Sequence, residues 1–308
     1  MTMILPRRDF LAGATASALL ASVPAQARTP THNCVMIGDW GRQGHYEQGR
    51  LAACMGRVAA QHRSLYTVSV GDNFYDDGVQ SVTDRQWITS FESIYSAESL
   101  KTPWRVILGN HDYRGKVEPQ LLYGRQVDSR WYLPARYYSM RDILPDGSTA
   151  ETFFLDTSPF ISRYRGTKVD ITGQDTAAQV AWLDAALGAS DARWKIVIGH
   201  HPVYTAERRF DEPELIAALV PVMKRHGVHV YINGHIHNLQ YIERDGIHYI
   251  NNGAGSRIDP VAPAQDGGIV FPGEHGFMTV ALSRDVFQFR FIGIDGRCLL
   301  SKSVNNLS

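Results

Sequence analysis

Five apolar runs in this sequence each end at a glycine followed by side chains of the kinds that bind metals. They deliver Asp39 after Gly38, Asp72 with Tyr75 after Gly71, Asn110 with His111 after Gly109, His200 after Gly199, and His235 with His237 after Gly234. Turns at strand ends favour Gly, Asn and Asp for backbone reasons, but those reasons do not bring in His and Tyr each time. Carboxylate, phenolate, amide and imidazole are hard or borderline donors, a set that suits Fe, Mn or Zn. Seven donors (Asp39, Asp72, Tyr75, Asn110, His200, His235 and His237) exceed what one tetrahedral ion needs, so two ions sharing Asp72 is the economical arrangement. Such a pair clamps an in-line displacement at phosphorus and turns a bound water into a metal-activated hydroxide near neutral pH.

The elements that must position these donors read as alternating strands and helices. Strands are expected over His32–Ile37, Leu65–Val70, Trp104–Leu108, Thr152–Leu155, Trp194–Ile198 and Val228–Ile232, each leading towards a site or a turn. Helical spacing follows from about Tyr46 to Gln61. It recurs after Thr83 with Trp87, Phe91 and Ile94 on one face, after Asp175 to Leu187, and from Glu214 to Arg225, where Pro221 is expected to kink or divide the helix. Residues Arg114–Gly147 read as an excursion over the sheet and its rim, and Ser158–Gly173 as a polar surface loop. Late strands at Ile247–Ile250, Met278–Ser283, Val286–Ile292 and Arg297–Val304 read as an antiparallel meander finishing a second sheet. The pattern predicts an α/β protein with two sheets packed face to face and helices outside.

The 308 residues carry 31 basic and 31 acidic side chains, a balance that gives no electrostatic case for nucleic acid or an anionic membrane. The N-terminus reads as a leader. Arg7-Arg8 is a twin-arginine pattern, an Ala-rich apolar run follows, and Ala25-Gln26-Ala27 is a cleavage site, so residues 1–27 are expected to be a signal peptide and the mature chain to start near Arg28. The apolar run is too short to span a bilayer. This predicts a periplasmic or secreted protein, exported folded by the twin-arginine machinery, with no membrane anchor afterwards and one domain over residues 28–308. Cys34, Cys54 and Cys298 are too few and too scattered for a disulfide framework or a zinc site, and read as buried small residues.

The ordered motifs D-W-G (Asp39–Gly41), G-D-N-F-Y (Gly71–Tyr75), G-N-H-D (Gly109–Asp112), G-H-x-P-V (Gly199–Val203) and G-H-x-H-N-L-Q-Y (Gly234–Tyr241) resemble those of the purple acid phosphatases, most closely the small tartrate-resistant type. The resemblance runs from about Ile37 to beyond Ser256. It implies the calcineurin-like metallophosphoesterase fold, a four-layered α/β/β/α sandwich of two mixed sheets. By that resemblance Asp39, Tyr75 and His237 join Asp72 around Fe(III), and Asn110, His200 and His235 join Asp72 around a divalent Fe, Zn or Mn. His111 matches the outer histidine that contacts phosphate and protonates the leaving group of a small phosphomonoester.

Two places depart from the mammalian-type pattern. A second outer histidine is missing from Tyr204–Phe210, where Arg208 or Arg209 could hold the phosphate instead; an arginine clamps phosphate well but donates no proton near neutral pH. The Ser158–Gly173 loop is shorter than the overhanging loop of those enzymes and reads as a plain surface loop. Asp76 and Asp77 read as turn residues. The competing functions are a phosphodiesterase or pyrophosphatase on the same site, a redox-active di-iron protein generating oxygen radicals, and a metal-dependent phosphate-binding protein.

Overall fold

Strand β1 (His32–Ile37) is apolar on both faces, with Cys34, Val35, Met36 and Ile37 all buried. Such a strand belongs inside a sheet with layers above and below it. The computed structural model, which describes residues 30–127, 129–207, 211–264 and 267–306, places it there. Helix α1 (Gln48–His62) carries the chain from β1 to the parallel strand β2 (Tyr66–Ser69). Beyond β2 lie β3 (Trp104–Val106) and β4 (Trp131–Tyr132), also parallel.

On its other edge β1 pairs antiparallel with β12 (Gly276–Leu282), followed by β13 (Val286–Gly293) and β14 (Cys298–Asn305). The first sheet therefore has the order β14-β13-β12-β1-β2-β3-β4. Of the four late strands expected to finish the second sheet, the last three complete this one instead, and Ile247–Ile250 alone joins the second, where it runs parallel to its neighbour over Val230–Asn233. Hairpin spacing identifies antiparallel partners but says nothing about which sheet edge receives them.

The second sheet is built on the parallel strands β6 (Thr149–Phe154), β7 (Trp194–Ile198), β8 (Val230–Asn233) and β10 (Ile247–Asn252). Antiparallel strands flank them: β5 (Tyr138–Ile143) on one edge, β9 (Leu239–Arg244) and β11 (Ile269–Phe271) on the other. Alternation along these strands divides their side chains. Ile196, Ile198, Val230, Ile232 and Ile250 join the large core that includes the first sheet. Val197, Tyr231 and Tyr249 pack with Leu183 and Leu187 of α3 (Thr176–Ala189) and Leu215 and Leu219 of α4 (Pro213–Arg225). With α1 contributing Leu51, Cys54 and Met55 to the large core, the layers run α/β/β/α, and both seven-stranded sheets are mixed.

Several local expectations are revised. The Arg114–Gly147 excursion contains α2 (Glu118–Gln126) and supplies an edge strand to each sheet, β4 and β5. Thr83 does not cap a helix; the Asp84 carboxylate accepts from the Gln80 and Gln86 N–H groups, and a π-helical turn follows over Trp87–Glu92. Asp175 caps α3 as predicted, accepting from the Ala178 N–H at 2.9 Å. Helix α4 runs unbroken through Pro221, which lies on its exposed side. All three cysteines are free, with Cys34 and Cys54 buried and Cys298 exposed. The leader, including Arg7, Arg8 and the cleavage site, lies outside the described residues. No helix of the described residues is long and apolar enough to cross a membrane.

Candidate metal centre

The C-terminal ends of β1, β2, β3, β7 and β8 converge on one point, and each brings its donors with it. The backbone there is held in uncommon conformations. Asp39, Asp72 and His235 have positive φ values of 60°, 52° and 71°. Non-glycine residues in that region cost of order 1–3 kcal/mol each and cluster at functional sites. Two glycines make the convergence possible. A Cβ on Gly109 would lie 2.2 Å from Asp72 Oδ1 and 2.3 Å from the Asp72 nitrogen; one on Gly71 (φ 95°) would meet the His200 ring at 2.6 Å.

Two groups of donors emerge. The Tyr75 hydroxyl is 3.0 Å from Asp39 Oδ1, 2.9 Å from Asp72 Oδ2 and 3.1 Å from His237 Nε2. His237 Nε2 is in turn 3.5 Å from Asp39 Oδ1. On the other side of Asp72, His200 Nε2 is 3.4 Å from Asp72 Oδ2, and His235 Nδ1 is 2.9 Å from Asn110 Oδ1. Donor atoms of Asp39, Asp72 and His200 lie within 4.8 Å of one another. Asp72 is thus common to both groups, and all seven residues singled out by type and spacing meet here.

The chemistry of the set fits cations. His200 Nδ1 donates to the Val70 carbonyl at 2.9 Å, so Nε2 is the nitrogen turned to the site, buried without a hydrogen-bond partner and 3.4 Å from Asp72. His237 Nδ1 is likewise buried without a hydrogen bond, with the Asp259 carboxylate 3.4 Å away. Asp39 and Asp72 are 0% and 1% exposed. Burial opposes ionisation of Asp72, but His200, His111 and His235 outweigh it and hold the carboxyl well below its usual range. Burial and the neighbouring Asp39 and Asp72 push the Tyr75 phenol well above its usual value, with Arg42 alone among the principal influences working the other way. A multivalent cation among these oxygens reverses that balance, because coordination ionises bound acids.

His111 lies just outside the donors. Its ring is 4.2 Å from that of Tyr75, and its Nδ1 is 2.6 Å from the Asp76 carbonyl. Asp112 faces away from it. That buried carboxylate accepts from the Gly109 and Asn73 N–H groups and from the Asn73 and Gln120 amides, tying together the loops after β2 and β3. Asp76 and Asp77 take no part in the donor set: Asp76 pairs with Arg42 and Asp77 with Lys168.

Sequence reasoning passed over His201. It is buried, its ring is 4.4 Å from that of His235, and its Nδ1 and Nε2 sit 2.9 Å from Thr157 Oγ1 and from the Tyr164 hydroxyl. Its place directly after His200 was the available signal. Tyr164 belongs to the Ser158–Gly173 loop, which is more than a plain surface loop. It docks through Tyr164 on His201, Arg163 on Glu212 and Lys168 on Asp77. Arg208 and Arg209 lie outside the described residues. Of the histidines without a motif, His62, His226 and His248 make structural bonds, to the Val280 carbonyl, Asp184 and Tyr241.

Residues 33–239 match the Calcineurin-like phosphoesterase family, which defines the class: a phosphoesterase built on a two-sheet sandwich. Within it, the chain is 36% identical over 282 residues to purple acid phosphatase 4 of Arabidopsis thaliana, covering 86% of this chain and 81% of that protein. It is 33% identical over 258 residues to human tartrate-resistant acid phosphatase type 5, covering 79% and 78%. The chain belongs to the purple acid phosphatases and is an acid phosphatase, a family membership that implies a binuclear metal centre. Two solved structures share the fold. One is GAP50, the anchor in the inner membrane complex of Plasmodium (TM-score 0.80, 24% identity, 91% of this chain and 90% of that one). The other is purple acid phosphatase PPD1 from yellow lupin seeds (TM-score 0.65, 16% identity, 90% and 54%).

Proposed function

We propose that this protein hydrolyses small phosphomonoesters outside the cytoplasm, with Asp39, Asp72, Tyr75 and His237 holding Fe(III) and Asp72, Asn110, His200 and His235 holding a divalent Fe, Zn or Mn. The observation that carries the reading is the meeting of the Tyr75 hydroxyl with Asp39, Asp72 and His237 within 3.1 Å. When bound, the two ions acidify a water for attack on phosphorus and offset the charge of the phosphate.

The chain's own groups do the rest. Val70 fixes the His200 tautomer, and the Asp39 carboxylate accepts from the His235 N–H at 2.9 Å, locking the two sheets' loops together. His111 has committed Nδ1–H to a carbonyl, so in its protonated form it offers Nε2–H to the departing alcohol. Arg208 or Arg209 is assigned to the phosphate; if neither Arg208→Ala nor Arg209→Ala alters kcat/KM, both are removed from the site. Residues 28–308 form one domain in this reading, and residues 1–27 send it through the twin-arginine route. Mass spectrometry finding Met1 on the exported protein contradicts that route.

Metal analysis beside the visible spectrum tests the centre. A coloured protein bleached by Tyr75→Phe is expected, whereas a colourless protein at full iron occupancy refutes the ferric assignment. A kcat/KM higher for diesters than for monoesters points to a diesterase. Peroxide-dependent oxidation that survives His111→Ala while hydrolysis disappears points to a redox role.

A further inference from the structure

Arg42 follows Asp39-Trp40-Gly41 in the loop after β1, and nothing in its sequence setting marks it. Its guanidinium carbon lies 3.6 Å from the centre of the Tyr75 ring. Two partners pin it there. Nε donates to Ser256 Oγ at 3.2 Å, and Nη1 donates to Asp76 Oδ1 at 3.1 Å. Ser256 is itself buried and donates to the Asp39 carbonyl, so the guanidinium is fixed relative to the carboxylate that Tyr75 touches. The Arg42 side chain is 9% exposed, while its partner Asp76 is 75% exposed and is screened by water. The exposed carboxylate therefore offsets the field of the guanidinium at the ring only in part.

A cation over an aromatic face draws on the same π electrons that a phenolate donates to iron. The flat guanidinium is suited to this in a way that an ammonium is not. We propose that Arg42 is a positioning residue for the centre: it holds the Tyr75 ring against the Asp39–Asp72 pair and withdraws electron density from it. In doing so it sets the energy of the phenolate-to-iron transition and the Fe(III)/Fe(II) potential. This rests on the assignment of Tyr75 to the ferric ion. The direction follows from electrostatics. The nearby cation lowers the energy of the donor orbital, which raises the transition energy and makes Fe(III) easier to reduce.

The test compares metal-loaded wild-type protein with Arg42→Met, Arg42→Lys and Tyr75→Phe. Arg42→Met should move the visible band to longer wavelength and lower the potential, because it removes the cation from the face of the ring. Arg42→Lys keeps the charge without the flat stacking and should move the band less in the same direction. If Arg42→Met fails to hold iron, the shift in Arg42→Lys decides. Unchanged bands and potentials in both variants, with Tyr75→Phe bleached, overturn the role of Arg42 and leave the ferric assignment standing. Iron lost from both Arg42 variants makes the residue a prop of the loop and overturns it too. A wild-type protein that holds iron but has no band removes both ideas together.

Discussion

The His111 imidazole is bound to the backbone of Asp76, with Nδ1 2.6 Å from the carbonyl oxygen. A carbonyl only accepts, so the proton on Nδ1 is settled and the opposite nitrogen is the one left for substrate. The ring is held by the loop that carries Tyr75, and not by its own neighbour Asp112.

If His111 protonates the leaving group, the cost of losing it depends on what leaves. His111→Ala should lower kcat by about 10²–10⁴-fold for alkyl phosphates, and by much less for para-nitrophenyl phosphate, whose leaving group needs little help. Steady-state kinetics on the two substrates checks this. Equal losses on both assign His111 to binding.

Gly109→Ala puts a methyl group into the Asp72 carboxylate, 2.2 Å from Oδ1. Either the loop after β3 or the Asp72 side chain must give way. The variant should fold with reduced metal content and reduced activity, measured by metal analysis and assay; full occupancy at wild-type activity contradicts the close packing.

Removal of the metals should destabilise the protein. Stripping the ions would leave the two buried carboxylates of Asp39 and Asp72 within 4.8 Å of one another. Ligand linkage at a thousandfold excess over Kd is worth about 4 kcal/mol, which for a domain of this size is a fall in Tm of roughly 10 °C. Calorimetry of chelated and reconstituted protein measures it, and an unchanged Tm argues against tight binding at this point.

Away from the centre, Arg105 on β3 forms a paired hydrogen bond with Asp142 on β5, at 2.6 and 2.7 Å, and lies 3.6 Å from the centre of the Tyr66 ring. Burial pushes the Asp142 carboxyl up, but Arg105 and His32 more than offset this and hold it far below the usual range. Its folded pKa is depressed, so its contribution is complete above the unfolded value of about 4 and is lost as pH falls below that. Asp142→Ala leaves Arg105 buried and unpaired and should cost about 3–5 kcal/mol near neutrality. The variant's stability should change less than the wild type's below about pH 4, which denaturant titrations at several pH values report.

The donors were readable because Tyr75, His200, His235 and His237 are side chains that turn geometry does not ask for. Each stands a few residues past a strand, so local order carried most of the information. Other features depend on distant partners. Nothing in Gly276–Leu282 announces that it pairs with β1, and the two-residue strand β4 is too short for periodicity to register. Arg42 and Tyr75 are joined only by the fold. Asp112 was visible as a motif member, but its task of binding four donors from three segments was not.

The pairing of β1 with β12 joins residues 32–36 to residues 278–282. A chain leaving the ribosome presents β1 long before the strand that pairs with it antiparallel. Until then one side of β1 stays open, and the Asp39 loop at its end lacks half its support. Assembly of the centre is therefore a late event of synthesis, and a chain truncated before β12 should neither bind both ions nor hide its open strand edge from other chains.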